Sequence, residues 1–273
     1  MKDCISKNAY VNDKIISAEE AQKALFTGNT TVYEVIRIID GRPLFIEDHL
    51  GRLEKSASLL QLHLCFSASQ IYDIIIEFIK HEGISIGNLK LQFSFDNNKS
   101  LFLLYQSQHS YPTVEMYAQG VITKTLHVER ENPNAKNIQS FHSVAQSFIK
   151  EHNLYEALLI DKDNNITEGS KSNIFFIKGN TIITALASDV LLGITRKYVI
   201  EAALLLGLKV EERKISMDEL PEFDSAFISG TSPKILPIKI IDSKIYKTDT
   251  VVLLNLMSKL NELIHQNIET QNK

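Results

Sequence analysis

Residues 167–175 read Thr-Glu-Gly-Ser-Lys-Ser-Asn-Ile-Phe and set one carboxylate, Glu168, in a Gly/Ser/Asn-rich bend directly before a β-branched and aromatic run. Such a bend brings a carboxylate to the mouth of a strand, and its small residues let a ligand approach the backbone closely. Three more features lie in the same half of the chain. They are Lys136 at the end of a polar loop, a Gly193-Ile194-Thr195-Arg196 helix start, and a Ser229-Gly230-Thr231-Ser232 turn. A lysine amine can form a Schiff base with an aldehyde and can shuttle protons once released, provided it is partly desolvated. A carboxylate can hold a protonated pyridine nitrogen, in a charge-assisted bond of ~1.5–3 kcal/mol, and so keep the ring an electron acceptor. A helix N-terminus and a small hydroxyl-bearing nest both bind phosphate. Amine, carboxylate and two phosphate cradles are the parts a pyridoxal phosphate site requires.

Each part also has an ordinary reading. A lysine in an Asn/Pro loop is commonly a solvated surface residue, and Glu168 could be an exposed turn acid with Ser172 and Asn173 as turn chemistry alone. Thr195 could be a helix N-cap, and Gly230-Thr231-Ser232 a strand-ending turn before Pro233. Arg52, on a helix face with His49, suits a bidentate phosphate clamp or a solvated helix charge.

Composition bounds the remaining classes. The 273 residues suffice for one large or two small cores, and the apolar (44%) and charged (23%) fractions are those of a globular chain. A net charge of −4 leaves no basic excess for nucleic acid or anionic membrane. Cys4 and Cys65 make neither a metal spacing nor a disulfide framework. No metal site is expected. No signal segment and no membrane-length apolar run is visible, which predicts a cytoplasmic protein.

Periodicity supplies the elements that must position these groups. Residues 9–16 read as a hairpin turning at Asn12-Asp13, and 31–46 as a second turning at Asp40-Gly41. Helices are predicted over 47–62 and 69–82, the latter stopped by Gly83, followed by strands at 89–95 and 101–105. Residues 106–117 lose both periods and read as a linker. Beyond it come a strand at 121–129, the polar loop 131–136, and a helix at 138–152. Strands at 156–161, 173–178 and 181–184, a helix at 195–206, strands at 208–214, 225–229 and 235–241, and a helix near 250–267 follow. The pattern is α+β, with a small N-terminal α/β domain (1–108), a linker (109–117) and a larger C-terminal domain (118–273) built on a mixed or antiparallel sheet.

Seven motifs occur in order: Val-Tyr-Glu-Val-Ile-Arg (32–37), Glu-Asp-His-Leu-Gly-Arg-Leu (47–53), Asn-Pro-Asn-Ala-Lys (132–136), Glu-Ala-Leu-Leu-Ile-Asp (156–161), the Glu168 bend, Leu-Leu-Gly-Ile-Thr-Arg (191–196) and Ser-Gly-Thr-Ser (229–232). From Tyr10 to Asp242 the chain resembles the fold type IV pyridoxal-phosphate enzymes. This class IV aminotransferase family contains branched-chain and D-amino acid aminotransferases and aminodeoxychorismate lyase. The resemblance implies the D-amino acid aminotransferase-like fold, a homodimer, and pyridoxal 5'-phosphate held between the domains. It makes Lys136 the Schiff-base lysine and Glu168, with Ser172 and Asn173 beside it, the partner of the pyridine nitrogen. Arg52, the backbone from Gly193 to Ile194 and Thr195, Gly230 and the Thr231 hydroxyl would hold the phosphate. Leu191 would pack on the ring, and Tyr33, Phe141 and Ser232 would lie on the substrate side.

Several segments depart from the family pattern. Gly28-Asn29-Thr30-Thr31 stands where Gly-Asp/Glu-Gly is common. The region 96–102 lacks the Arg-x-His carboxylate trap of the D-amino acid enzymes. Phe141 replaces a tyrosine of the branched-chain enzymes, and residues 137–141 do not match the lyase. Transamination of a small amino acid and 2-oxo acid pair is the favoured expectation, with 4-amino-4-deoxychorismate lyase and a non-catalytic ligand-binding relative as alternatives.

Overall fold

The computed structural model describes all residues except 2, 26–29, 97–98, 131–132 and 272–273, and Ala24 by its backbone alone. Gly28-Asn29, the middle of the 96–99 turn and the start of the lysine loop therefore lie outside the described residues. The chain divides into two compact units: Met1–Ser110 with Ala135–Ile138 and Gln266–Lys273, and Tyr111–Asn134 with Gln139–His265.

The first unit holds β1 (Asn8–Val11), β2 (Lys14–Ser17), α1 (Ala18–Ala24), β3 (Thr30–Ile39), β4 (Arg42–Pro43), α2 (Ile46–Leu59), α3 (Ala68–Glu82), β5 (Gly87–Asp96) and β6 (Lys99–Ser107). Its six strands run in the order β2-β1-β6-β5-β3-β4, antiparallel throughout. Alternation along β3 turns Val32, Glu34, Ile36 and Ile38 inward, where the apolar members join Leu50 and Leu53 of α2 and Ile71, Ile75 and Phe78 of α3 in one core. Asp40 and Gly41 take φ of 51° and 73°. Both are the left-handed values that a two-residue hairpin demands, which is why an Asp-Gly pair closes it. A capping box between Ser67 and Gln70 starts α3, and Gly83 at φ 65° ends it.

In the second unit α4 (Val114–Gln119), β7 (Val121–His127), α5 (Phe141–Glu151), β8 (Glu156–Ile160), β9 (Ile166–Gly169), β10 (Asn173–Lys178), β11 (Thr181–Thr184), α6 (Ile194–Leu205), β12 (Lys209–Glu212), β13 (Ser225–Gly230), β14 (Lys234–Ile241) and β15 (Lys244–Ile245) follow in sequence. The last helix, α7, spans Val251–Thr270. The sheet order is β12-β11-β10-β13-β14-β7-β8-β9, with β15 paired to β14. The sheet is mixed: β11–β12, β14–β7 and β7–β8 are parallel.

Several local features differ from the sequence reading, the helix α1 over Ala18–Ala24 among them. Residues 114–119 are helical because the Thr113 hydroxyl accepts from the Met116 N–H and Gly120, at φ 74°, stops the turn. Glu168 sits inside the short strand β9, and the bend proper is Ser170–Ser172. Among the described residues no helix is long and apolar enough to cross a membrane.

Candidate functional site

In the first unit Lys136 belongs to a short stretch laid along β3. The Tyr33 N–H donates to the Lys136 carbonyl (3.1 Å), the Ile138 N–H donates to the Thr31 carbonyl (3.1 Å), and Val32 and Asn137 form an antiparallel bridge. The Lys136 N–H in turn donates to Ser56 Oγ (3.1 Å), whose hydroxyl donates to the Arg52 carbonyl (2.8 Å). Sheet and helix thus both fix the lysine backbone. Its Nζ lies 4.8 Å from the centroid of the Tyr33 ring, which partly desolvates the ammonium and adds a cation–π attraction.

Arg52 projects from α2 to Glu34 on β3. Its Nε donates to Oε1 (2.7 Å) and its Nη2 to Oε2 (2.6 Å), while His49 Nδ1 lies 2.7 Å from Oε2. Glu34 is wholly buried. Burial alone would raise its carboxyl, but the charge and paired hydrogen bonds of Arg52, aided by His49, hold it down at about 2. His49 is pushed below its ordinary value chiefly by burial, with the charges of Arg52 and Lys136 acting in the same direction against Glu34.

The second unit gathers the other group. Glu168 is buried, and one of its oxygens accepts from Arg130 Nη1 (3.3 Å). The other oxygen accepts from the Leu191 N–H (3.2 Å) and, at 3.5 Å, from Asn173 Nδ2, which also donates to the Leu191 carbonyl (2.8 Å). The Arg130 guanidinium lies 5.7 Å from the Phe141 ring centroid, so Phe141 joins this group through Arg130. Gly193 is the N-cap of α6 and no side chain caps the helix; Thr195 is its second residue, not its cap. A Cβ on Gly193 would fall 2.2 Å from Asn173 Oδ1, so only glycine permits this approach. Asn173 pairs in register with Ser229, which leads into Gly230 and the turn carrying Thr231 and Ser232. Ser172 is turned elsewhere: its hydroxyl and that of Ser170 donate to Glu156 (3.0 and 2.6 Å).

The sequence profile of the amino-transferase class IV family matches residues 31–241. The chain belongs to this family. It is 26% identical over 260 residues to branched-chain-amino-acid aminotransferase-like protein 2 of Arabidopsis thaliana, across 87% of this chain and 46% of that one. The chain thus spans about half the length of this curated relative. It is 23% identical to the aminodeoxychorismate lyase of Bacillus subtilis, across 94% of this chain and 96% of the other. In fold it is similar to the branched-chain amino acid aminotransferase of Escherichia coli, with a TM-score of 0.86, 20% identity and 95% of each chain covered.

Class IV enzymes depend on pyridoxal phosphate, and the residues present fit that group. The uncapped start of α6 offers N–H donors that a helix cannot satisfy internally. The Gly193 cradle leaves no room for a side chain, and the buried Ser229 hydroxyl has no hydrogen-bond partner. Glu34, Ser56, Arg130 and Glu156 escape the sequence reading. Glu34 and Glu156 carry a signal: each is an acid in a buried strand register. Ser56 and Arg130 carry none, because their partners are distant in the chain.

Proposed function

We propose that this class IV chain is a pyridoxal-phosphate-dependent transaminase acting on a small amino acid and 2-oxo acid pair. The observation that carries the reading is Lys136: a lysine braced from β3 and α2, its amine set against an aromatic ring. When bound, pyridoxal phosphate supplies an aldehyde that condenses with amines and a ring that takes up electron density from the substrate α-carbon. Lys136 would hold the cofactor through its Nζ, and the same amine would carry the substrate α-proton. Glu168 would hold the proton on the ring nitrogen, and Asn173 and the Leu191 N–H orient that carboxylate. Arg52, the N–H groups of Ile194 and Thr195, Gly230 and the Thr231 hydroxyl would hold the phosphate. Leu191 would pack against the ring. Tyr33, Phe141 and Ser232 face the substrate. A homodimer in the cytoplasm belongs to the same reading.

Borohydride reduction of the loaded protein followed by peptide mapping tests it. A phosphopyridoxyl group on Lys136, lost in Lys136→Ala together with exchange of the substrate α-proton, is the expected result. A label on another side chain refutes the assignment.

Release of pyruvate from aminodeoxychorismate is a second reading, favoured by the end-to-end match with the B. subtilis lyase. Pyruvate formed without any 2-oxo acid acceptor would select it.

A further inference from the structure

The hairpin between β13 and β14 closes on Gly230 and Lys234, paired in register, with Thr231, Ser232 and Pro233 between them. Lys234 takes φ 55°, a left-handed value that a residue with a side chain seldom adopts. Such a turn keeps one shape only when its surroundings fix it. Two helices of the second unit reach it. From α7, Asn261 Oδ1 accepts from Lys234 Nζ (2.9 Å). From α4, the Tyr117 hydroxyl donates to the Pro233 carbonyl (2.9 Å).

The helix α4 is itself held in place. Thr248 Oγ1 donates to the Ala118 carbonyl (3.1 Å). At the end of the helix Gly120 lies so close to β14 that a Cβ would fall 2.8 Å from the Lys239 nitrogen and 3.1 Å from the Pro237 carbonyl oxygen. The Tyr117 ring is half-buried against the second unit's core, to which Ile228 and Leu236 of the same hairpin belong. The phenol is therefore a strut on a fixed base, and it ends on the carbonyl two residues beyond Thr231. Local pattern hides it, because Tyr117 falls in the stretch whose lost periodicity reads as a linker.

A hydroxyl that grips an anion must be aimed, since a hydrogen bond weakens steeply as its angle closes. Its aim follows from the backbone that carries it. We propose that Tyr117 is a positioning residue for the cofactor phosphate: its hydroxyl fixes the Pro233 carbonyl, and the fixed turn aims the Thr231 hydroxyl. The proposal rests on the reading that Thr231 holds the phosphate.

Titration of the cofactor-free full chain with pyridoxamine 5'-phosphate, and with pyridoxamine, which lacks the phosphate, tests it. The ratio of the two affinities reads the grip on the phosphate, and a general loosening of the fold cancels from it. Tyr117→Phe removes one oxygen and keeps the ring. It should lower the ratio about five-fold, the net worth of one hydrogen bond, with pyridoxamine affinity unchanged. Thr231→Ala should lower the ratio at least as far. Adding Tyr117→Phe to Thr231→Ala should lower it no further, because two residues that act through one contact are not additive. Tyr246→Phe removes a bond of the same kind, from a buried tyrosine to the Leu220 carbonyl (2.8 Å), and should leave the ratio at the parental value. A parental ratio in Tyr117→Phe, a further loss on top of Thr231→Ala, or an equal loss in Tyr246→Phe would each overturn the proposal. Borohydride labelling of the same proteins separates this claim from the one beneath it. A labelled Lys136, with an effect of Thr231→Ala and none of Tyr117→Phe, removes only the positioning role. A parental ratio in Thr231→Ala removes the phosphate role of Thr231 and the role of Tyr117 with it. An unlabelled Lys136 removes the transaminase reading, and the ratio still judges Tyr117.

Discussion

Glu34 is the residue on which the first unit's polar chemistry turns. A buried carboxylate is tolerated only when its charge and lone pairs are met. Here Arg52 meets both oxygens in a fork and His49 adds a third contact. The fork also fixes the plane of the guanidinium, since Nε and Nη2 are directed at Glu34. Glu34→Gln would leave the Arg52 charge without its partner inside the fold. Breaking a buried pair from one side costs about 3–5 kcal/mol, so urea titration should show a loss of that order. On the proposed role of Arg52, the variant should also bind pyridoxal phosphate about ten-fold more weakly, because a bidentate clamp depends on orientation. Full cofactor affinity in a folded Glu34→Gln protein would detach Arg52 from the phosphate.

At the scale of elements, a second buried acid shapes the turn between β9 and β10. Glu156 accepts from the Ala157 N–H, the Lys171 N–H and the hydroxyls of Ser170 and Ser172. Gly169 is packed so closely that a Cβ would fall 2.1 Å from Ser172 Oγ. The turn joins Glu168 to Asn173, so its shape sets where both side chains start. Glu156→Ala should cost about 1–3 kcal/mol for each buried donor left unpaired and should weaken cofactor binding. Glu156→Gln keeps an acceptor oxygen and should retain part of both. Normal cofactor affinity alongside a lowered unfolding temperature would confine Glu156 to stability. The elements themselves were largely legible, because Asp40-Gly41, the helical spacing over 69–82 and Gly83 are local instructions. Glu168 was legible as an acid among small residues, but its strand was not, since four residues carry too little pattern. The brace on Lys136 was invisible for a different reason. It joins residue 136 to residues 31–33 and 56, and no local period records a pairing of such separation.

For the molecule as a whole, the buried Glu34–His49–Arg52 group makes stability depend on pH in one direction. The folded-state carboxyl of Glu34 titrates at about 2 against an ordinary 4.5, so below 4.5 the unfolded chain binds the proton first. His49 is also depressed below its ordinary 6.5, so below 6.5 the unfolded imidazole is again protonated before the folded one. Wherever the unfolded state binds more protons, stability falls as pH falls. Both contributions are therefore fully present above 6.5. The His49 share is lost as pH drops below 6.5, and the Glu34 share, roughly 3 kcal/mol by the size of its displacement, is lost between 4.5 and 2. Thermal unfolding followed from pH 8 to pH 3 should show the midpoint falling in two stages. In His49→Gln the first stage should flatten while the second remains, because glutamine cannot titrate but can still donate to Glu34. A midpoint that rises on acidification between pH 7 and 5, or a first stage that persists in His49→Gln, would mean that this imidazole is not held neutral by its surroundings.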